Sequence, residues 1–291
     1  MENILEETRF ILKKYNIKAN KSLGQNFLIN KEVVEKIVDS ANIGKDDLVI
    51  EIGPGLGTLT EFLLEKAKQV ICVELDERMV NILKDRFMLY DNLKIINEDI
   101  LKLDLNKIIS EEKLNKKINN VKIVANLPYY ITTPIVMKLL EDKLDIESIT
   151  IMIQKEVADR LIENPGGKNT GAITYAINYF SIPEGIMEVP NTSFIPEPEV
   201  TSKVLKLTIR DNAPVEVKDV NLLFKVIKCA FMQRRKTLLN ALVNNNIFNS
   251  KDGGIEILNN LGLDANIRGE KLSLEDYAKL ADEIQKNYLK N

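Results

Sequence analysis

The 291-residue chain contains no histidine and only two cysteines. Without histidine it cannot form the Ser-His and Cys-His pairs of nucleophilic catalysis or a histidine-ligated metal site, and it lacks the commonest general base. Cys72 and Cys229 form no CxxC pair, so each is most simply a buried thiol. The composition favours chemistry that needs neither a strong base nor a metal.

The chain also lacks an internal repeat, a low-complexity tract and an apolar run of transmembrane length. Its N-terminal segment, residues 1–22, has no long apolar core of the kind that a signal peptide carries. We therefore expect a cytoplasmic protein without a membrane association. The length leaves room for one large domain and one small domain.

A glycine-rich motif, EIGPGLG at residues 51–57, separates an apolar stretch from an amphipathic helix. The pattern predicts a strand-loop-helix unit, although an ordinary tight turn would look the same. A dinucleotide-binding loop has the spacing GxGxxG, whereas Gly53, Gly55 and Gly57 occupy every second position after an acid. This spacing favours S-adenosylmethionine, whose tail carries an ammonium group that Glu51 can pair with.

Acidic residues follow the next two predicted strands. The stretch QVICVE ends in Glu74, whose carboxylate can accept hydrogen bonds from both ribose hydroxyls. The stretch NLKIINEDI is predicted to end in Asp99, which can accept a hydrogen bond from the adenine amino group, and Ile100 can pack on the ring. One acid after a strand is commonly only solvated, but two in succession after this loop indicate a cofactor site.

The fourth predicted strand, VKIVAN, continues into the motif NLPY at residues 126–129. An adenine amine is a poor nucleophile because its lone pair is delocalised, so a catalyst must accept hydrogen bonds from both N–H groups. Asn126 offers an amide oxygen, and the main-chain carbonyl of Leu127 or Pro128 offers a second acceptor. Tyr129 can stack on the base. Without the glycine loop, an Asn-x-Pro turn would be the simpler interpretation.

The chain resembles the bacterial small-subunit (16S) rRNA adenine N6,N6-dimethyltransferases over nearly its whole length. The resemblance rests on KSLGQNFL, EIGPGLG, NEDI, NLPYYITTPIV, MIQKEVADRL, SFIPEPEVTSKV and RRKTLLNAL, which occur in that order. It implies a Rossmann-like class I methyltransferase domain of the α/β class with a small all-helical C-terminal domain. It also implies dimethylation of two adjacent adenines near the 3′ end of 16S rRNA, with S-adenosylmethionine as cofactor and a role in subunit biogenesis.

The same resemblance implies roles for individual residues. The residues at the cofactor positions of the family motifs are Asn26, Leu28, Gly53, Glu74, Asp99 and Asn126. The residues at the substrate positions are Asn126, Pro128, Tyr129 and Phe194. Phe194 would close the adenine pocket opposite Tyr129, although a core phenylalanine is an equal alternative. Asn26 stands where many relatives have histidine, which leaves the detail of that contact open. We expect no metal and a monomer that acts on the 30S subunit or its precursor.

The strand-helix alternation continues to about residue 209 and indicates a parallel sheet, with ITIMIQKEVADRL as a fifth strand and helix. We therefore predict a methyltransferase domain with an N-terminal arm over residues 1–209. After a Pro-containing polar link, apolar residues recur at helical spacing, and Ser273 with Asp276 forms a capping-box pattern. We predict a helical, RNA-contacting domain over residues 219–291.

The net charge of −3 does not by itself suggest an RNA substrate, but the distribution of charge matters more. Residues 225–240 contain five basic residues and no acid: Lys225, Lys228, Arg234, Arg235 and Lys236. The N-terminal arm adds Lys13, Lys14, Lys18 and Lys21. Folded RNA is recognised mainly by shape and phosphates, and a target base must be unstacked into the pocket. We expect these lysines and arginines to hold phosphates, although solvated helix faces are an alternative for any single lysine.

Two alternatives remain open at the level of sequence. Large-subunit rRNA adenine methyltransferases share the cofactor loop and a similar Asn-x-Pro-Tyr motif, but NLPY and the motifs FIPEPEVTSK and RRKTLLNAL favour the small-subunit group. A ribosome-assembly or transcription factor could keep the fold without catalysis. The intact residues Asn126, Pro128, Tyr129, Glu74 and Asp99 speak against that loss.

Overall fold

The structure, a computed structural model, describes residues 3–20, 23–167, 169–233 and 235–288, and the chain divides into two units. The first unit contains residues up to Ala158 together with Pro183–Ile209. The second contains Asp159–Ile182 together with residues from Arg210 onward. The predicted boundary assigns residues 159–182 to the first domain, but Tyr175 and Tyr179 of this segment pack into the core of the second unit.

A seven-stranded sheet and a two-stranded sheet contain the strands of the described chain. The strands are β1 (Phe27–Leu28), β2 (Leu48–Ile52), β3 (Gln69–Glu74), β4 (Leu93–Asn97), β5 (Val121–Asn126), β6 (Ser148–Gln154), β7 (Ser181–Val189), β8 (Phe194–Ile195) and β9 (Ser202–Ile209). The α-helices of the described chain from the N-terminus to just after β6 are α1 (Ile4–Lys14), which precedes β1, then α2 (Lys31–Ser40), α3 (Thr58–Lys66), α4 (Glu77–Arg86), α5 (Leu105–Asn115), α6 (Thr132–Glu141) and α7 (Lys155–Leu161).

The order of strands in the large sheet is β4-β3-β2-β5-β6-β9-β7. The five strands from β2 to β6 are parallel, as predicted, and the strand order reverses between β2 and β5. In such sheets ligands bind at the carboxyl ends of the strands beside this reversal. The alternation up to about residue 209 predicts a parallel sheet, and the exception in the structure is β9, which pairs antiparallel with β6. In the described chain no α-helix connects β7 to β9, so β9 does not arrive by a crossover of the βαβ type.

The local sequence explains how these elements form. β2 and β3 are buried along their whole length, as expected for parallel strands covered on both faces. Asp76 and Asp104 cap the helices α4 and α5, since each side chain accepts a hydrogen bond from a main-chain N–H of the first turn. The hydrophobic core under the sheet includes Val49, Leu63 and Val124. This packing fixes the strand ends from which the site is built.

The second unit is mainly helical, as predicted for the C-terminal part. Its helices are α8 (Ala172–Phe180), α9 (Val220–Met232), α10 (Leu238–Asn244), α11 (Lys251–Asn260) and α12 (Leu274–Tyr288). The predicted capping box at α12 is confirmed, because the main-chain N–H of Asp276 lies 3.1 Å from Ser273 Oγ and that of Ser273 lies 2.9 Å from Asp276 Oδ2. None of the helices in the described ranges is long and apolar enough to cross a membrane.

Candidate active site

A cavity of about 140 Å³ lies in the first unit where β2, β3 and β5 end. The structure brings every predicted site residue to its wall. These residues are Asn26, Leu28, Gly53, Glu74, Asp99, Asn126, Pro128, Tyr129 and Phe194. Their convergence agrees with one binding pocket, while the role of each side chain stays a prediction.

The glycine loop forms the floor of this cavity. Gly53 and Gly57 have φ values of +66° and +87°, in the left-handed region that glycine adopts without steric cost. A Cβ atom on Gly53 would meet no heavy atom within 4 Å, so the space beside this residue is open. A Cβ atom on Gly57 would lie 2.5 Å from the Phe87 ring. The first glycine therefore leaves room at the cavity, and the second allows close packing of α3 against α4.

Glu74 closes β3 with its carboxylate held in place by main-chain groups. The N–H of Gly55 lies 3.1 Å from Glu74 Oε2, and the N–H of Asp76 lies 2.9 Å from Oε1. Burial raises the pKa of Glu74, and the two N–H donors partly counter that effect. The side chain is only 8% exposed and is pre-positioned at the wall, as a ribose-binding acid requires.

Glu51 is the most deeply buried acid of the site, with 1% of its surface exposed. Thr60 donates a hydrogen bond of 2.6 Å to Glu51 Oε2, and Cys72 Sγ lies 3.5 Å from the same oxygen. Burial raises the pKa of Glu51 to about 7. No ion pair in the described part of the chain involves this carboxylate, although it lies at the cavity wall. A ligand ammonium group is the partner that its chemistry favours.

The adenine end of the predicted cofactor site is formed by the segments after β3 and β4. The strand β4 ends at Asn97, two residues before the predicted end, and Asp99 lies in the loop that follows. The main-chain N–H of Leu101 donates a 3.0 Å hydrogen bond to Asp99 Oδ1, which fixes the carboxylate. Ile100 lines the cavity, as does Leu75, which is 53% exposed and is not among the predicted site residues. The signal for Leu75 was its position directly after the acid that closes β3.

The N-terminal arm contributes more to the cavity wall than the two residues predicted there. Gln25 and Phe27 also line it. Gln25 Nε2 donates a 2.9 Å hydrogen bond to Asp76 Oδ2, and Gln25 Oε1 accepts one of 2.8 Å from the main-chain N–H of Asn20. These contacts tie the arm to the loop that follows Glu74. The lysine at position 21, predicted to contact phosphates, lies outside the described residues.

The amide of Asn126 ends β5 at the cavity wall. Its Nδ2 donates to the main-chain oxygen of Asn26 at 3.5 Å, which leaves Oδ1 as the free acceptor. No other described residue forms a hydrogen bond with this side chain. The position of Oδ1 beside the cavity is suited to an acceptor for an exocyclic amine.

The sequence left the main-chain carbonyls of Leu127 and Pro128 as alternatives for the second acceptor. The hydrogen bonds in the structure distinguish between them. The carbonyl oxygen of Pro128 already accepts hydrogen bonds from the N–H of Ile131 at 3.2 Å and from Thr132 Oγ1 at 3.1 Å. Within the described part of the chain, the carbonyl of Leu127 has no such donor, although its N–H is bound to Met152 O at 3.1 Å. Leu127 is therefore the better acceptor, and Pro128 shapes the turn.

Two aromatic rings stand at the remaining wall of the cavity. Tyr129 begins a 3₁₀ turn, and its hydroxyl lies 2.6 Å from Ser202 Oγ. Burial raises the pKa of Tyr129, so its phenol is neutral at physiological pH. Phe194 is 2% exposed and belongs to the core cluster as well as to the cavity wall. Both alternatives for Phe194, core residue and pocket wall, are thus compatible with its position.

S-adenosylmethionine fits this set of groups. Its ammonium group matches the buried carboxylate of Glu51, its ribose matches Glu74, and its adenine matches Asp99 between apolar side chains. The open space beside Gly53 admits the ligand without a clash with a side chain. In the described ranges no three His, Cys, Asp or Glu residues cluster in a way that would hold a metal ion.

Comparison with known proteins agrees with this geometry. Residues 16–286 match the family described as ribosomal RNA adenine dimethylase. The chain is 50% identical, over 96% of its length and 96% of the relative, to ribosomal RNA small subunit methyltransferase A of Lachnoclostridium phytofermentans.

Two solved structures are also similar. A dimethyladenosine transferase from Plasmodium falciparum has 27% identity and a TM-score of 0.74, with coverage of 90% of this chain and 98% of its own. The 23S rRNA methyltransferase ErmE, at 23% identity and a TM-score of 0.65, covers 89% of this chain and 100% of its own and shares the fold. The chain therefore belongs to the ribosomal RNA adenine dimethylase family and is an S-adenosylmethionine-dependent rRNA adenine dimethyltransferase.

Proposed function

We propose that this enzyme dimethylates the N6 amino groups of two adjacent adenosines near the 3′ end of 16S rRNA in the small ribosomal subunit. The name of the relative at 50% identity supports this choice of subunit. The motifs FIPEPEVTSK and RRKTLLNAL, which favour the small-subunit group, support it further. The likeness to ErmE extends to the fold and does not favour a large-subunit substrate.

The pair of acceptors at the end of β5 is the observation that carries the reaction. Asn126 Oδ1 and the carbonyl of Leu127 are both free to accept hydrogen bonds within the described chain, and both residues line the same cavity. Together they can bind the two N–H groups of an adenine amine, which directs its lone pair away from the ring. Positioned acceptors of this kind supply much of the catalysis when no strong base is present.

The two rings would hold the base between them. Tyr129 would stack on one face of the adenine, and Phe194 would close the other. When bound, the cofactor supplies a methyl group on a sulfonium, whose leaving group is neutral. The amine can therefore lose its proton after attack, and the absence of histidine is no obstacle. On the same chemical grounds we propose that no metal takes part, and we further propose that the enzyme acts as a monomer.

We assign the cofactor contacts by chemistry. Glu74 would accept the ribose hydroxyls, Asp99 would accept the adenine amino group, and the open space beside Gly53 would admit the tail. Asn26 and Leu28 would cover the cofactor from the N-terminal arm. Main-chain donors hold the carboxylate oxygens of Glu74 and Asp99, so little reorganisation is needed on binding.

The second unit offers a basic surface for phosphates. Lys225, Lys228, Arg235 and Lys236 take part in none of the ion pairs found among the described residues, and all four are exposed. Arg234, predicted to belong to the same cluster, lies outside the described residues. We propose that residues 219–291 contact the phosphates of rRNA, which is recognised mainly by its shape and its backbone.

The direct test uses purified protein, tritiated S-adenosylmethionine and undermethylated small subunits. After digestion of the RNA, we expect label in N6,N6-dimethyladenosine. Protein-free large-subunit rRNA serves as the competing substrate, and label only there would reject the small-subunit proposal. An absence of label on both, with the cofactor still bound at equilibrium, would instead support a binding protein without catalysis.

Two substitutions test the division of roles. Asn126→Ala should abolish turnover and weaken the cofactor only modestly, because it removes the acceptor for the amine. Glu74→Ala should weaken the cofactor by about 1–3 kcal/mol, the cost of removing a buried acceptor. Binding by calorimetry and turnover by label transfer separate the two effects. If both variants changed only the cofactor affinity, the proposed roles would be wrong.

A second candidate function is a checkpoint in subunit assembly, in which the protein occupies the immature small subunit. The basic clusters and the family membership favour it. A null strain that expresses an unrelated adenine methylase with the same product would test it. Normal maturation of subunits in that strain would show that methylation alone is sufficient.

A further inference from the structure

Ser202 is a buried serine whose hydroxyl reaches only one side chain of the site. It is the first residue of β9, is 0% exposed, and does not form part of the cavity wall. Its Oγ lies 2.6 Å from the hydroxyl of Tyr129, the ring that begins the 3₁₀ turn after NLP. Ser202, which does not line the cavity, is thus hydrogen-bonded to Tyr129, which does.

The strand that carries Ser202 is firmly anchored. β9 pairs with β6, where Ser202 is opposite Gln154, and β6 pairs with β5, where Met152 is opposite Asn126. The main-chain N–H of Lys155 donates to Thr201 O at 2.9 Å and extends this ladder by one bond. The sheet that places the Asn126 acceptor therefore also places the Ser202 hydroxyl, two residues further along β6.

Tyr129, in contrast, lies in a short turn. Its side chain starts from a loop, where rotation about the Cα–Cβ and Cβ–Cγ bonds would change the plane of the ring. The hydrogen bond to Ser202 holds the far end of the ring, so the ring is fixed at two points. Loss of that bond leaves the buried Ser202 hydroxyl without its Tyr129 partner and frees the ring to turn.

We infer that Ser202 is a positioning residue for methyl transfer: through its bond to the Tyr129 hydroxyl it sets the plane in which the target base stacks. This inference rests on the proposed function, in which Tyr129 stacks on the adenine. Ser202 does not touch the substrate or the cofactor, and it acts only through Tyr129. A displaced ring would stack less closely on the base and leave it turned away from the acceptors of β5.

The chain offers a matched control. Ser148 lies in the adjacent strand β6, is 1% exposed, and its Oγ has no hydrogen-bond partner in the described structure. It has the same side chain and the same degree of burial as Ser202, and it is remote from the cavity wall. Ser148→Ala should therefore leave turnover unchanged, and any effect of general repacking in this sheet would appear there as well.

The kinetic experiment compares Ser202→Ala, Tyr129→Phe and the double variant on small subunits. We expect each single variant to lower kcat between about 10- and 100-fold, as a misplaced reactant does, with cofactor affinity unchanged. The double variant should show no further loss, because both substitutions remove the same bond. Independent, multiplying losses or an unchanged kcat in Ser202→Ala would overturn the inference.

A binding experiment keeps this inference separate from the proposed substrate. 2-Aminopurine riboside, whose fluorescence is quenched by stacking, is titrated into the protein with S-adenosylhomocysteine. We expect quenching in the wild type and in Ser148→Ala, and weaker quenching in Ser202→Ala. Wild-type quenching without rRNA methylation would reject the proposed function alone. Equal quenching in Ser202→Ala and the wild type, or no quenching in either, would reject the positioning role.

Discussion

Leu28 pairs directly with Phe194 in the two-stranded antiparallel sheet formed by β1 and β8. Leu28 belongs to the arm expected to cover the cofactor, and Phe194 to the wall expected to face the target base. Both are buried, and the main-chain N–H of Ile29 donates to Ser193 O at 2.9 Å beside them. The arm expected to cover the cofactor and the wall expected to face the base are therefore joined by main-chain hydrogen bonds, and not only by a shared cavity.

Phe194 should matter for activity more than for stability. Phe194→Leu retains an apolar side chain in the core but removes the flat ring, so turnover should fall at least about tenfold while the fold survives. Phe194→Ala should cost about 3–5 kcal/mol of stability in addition. Thermal unfolding and kcat/KM separate the two effects.

Phe87→Leu is the control for the two Phe194 substitutions. Phe87 is 4% exposed in the same core cluster but does not line the cavity. It should lose stability with little loss of turnover. Full activity in Phe194→Leu would assign Phe194 to the core alone.

Two glycines of one loop should respond differently to the same substitution. Gly57→Ala would place a Cβ atom 2.5 Å from the ring of Phe87 and 2.9 Å from Leu83 Cδ2, so the fold should be destabilised. Gly53→Ala meets no atom within 4 Å, and its cost to the fold is limited to the left-handed φ, about 1–2 kcal/mol. The methyl group of the new alanine at position 53 would instead lie beside the predicted position of the cofactor tail.

Calorimetry with S-adenosylmethionine and thermal unfolding test this contrast between the two glycines. Gly53→Ala should bind the cofactor about tenfold more weakly, a loss of about 1.4 kcal/mol in binding, and should unfold at a higher temperature than Gly57→Ala. If Gly53→Ala bound normally, the tail would not occupy the space beside this residue.

Cofactor affinity should depend on pH through Glu51. Burial raises the pKa of this carboxyl to about 7 in the protein without ligand, and only the ionised form can pair with the ammonium group. Affinity should therefore fall as the pH decreases below about 7, approaching tenfold per pH unit. Calorimetry between pH 6 and pH 8 should also show proton release on binding, and Glu51→Gln should abolish both effects.

The same carboxyl predicts a pH dependence of stability with a definite sign. Its pKa is raised on folding from 4.5 to about 7, so the folded state holds the proton more tightly than the unfolded state. The resulting stabilisation is fully present below pH 4.5 and is lost as the pH rises through about 7. Glu51→Gln should thus gain stability relative to the wild type between pH 5 and pH 8. A constant difference over that range would contradict the raised pKa.

The parts of the site that follow regular strands could be predicted from the sequence. Glu74 and Asn126 end strands whose apolar patterns are clear, and parallel strands bring their carboxyl ends together. The glycine spacing predicted the loop for the same reason. In each case the local sequence indicates both the type of element and the residue at which it ends.

Other parts depend on contacts between distant segments. The two-residue strand at Leu28 has no periodicity of its own and exists only because it pairs with Phe194. The hydrogen bond between the Tyr129 and Ser202 hydroxyls joins residues that are 73 positions apart. Residues 159–182 resemble a continuation of the strand-helix alternation, but the aromatic side chains of α8 pack into the core of the second unit. These features depend on tertiary contacts, which the local sequence does not contain.

Arg235 and Lys236 should contribute to RNA binding in a way that depends on salt. Both are exposed and take part in none of the ion pairs of the described chain. Arg235→Gln with Lys236→Gln should weaken binding to small subunits and reduce the slope of log Kd against log salt by about 0.7–0.9 for each phosphate that is no longer neutralised. Lys279→Gln is the matched control, because Lys279 pairs with Glu275 at 2.8 Å on its own helix. Binding titrations at several salt concentrations measure this slope. An equal slope in the double variant and in Lys279→Gln would indicate that Arg235 and Lys236 form only a solvated surface.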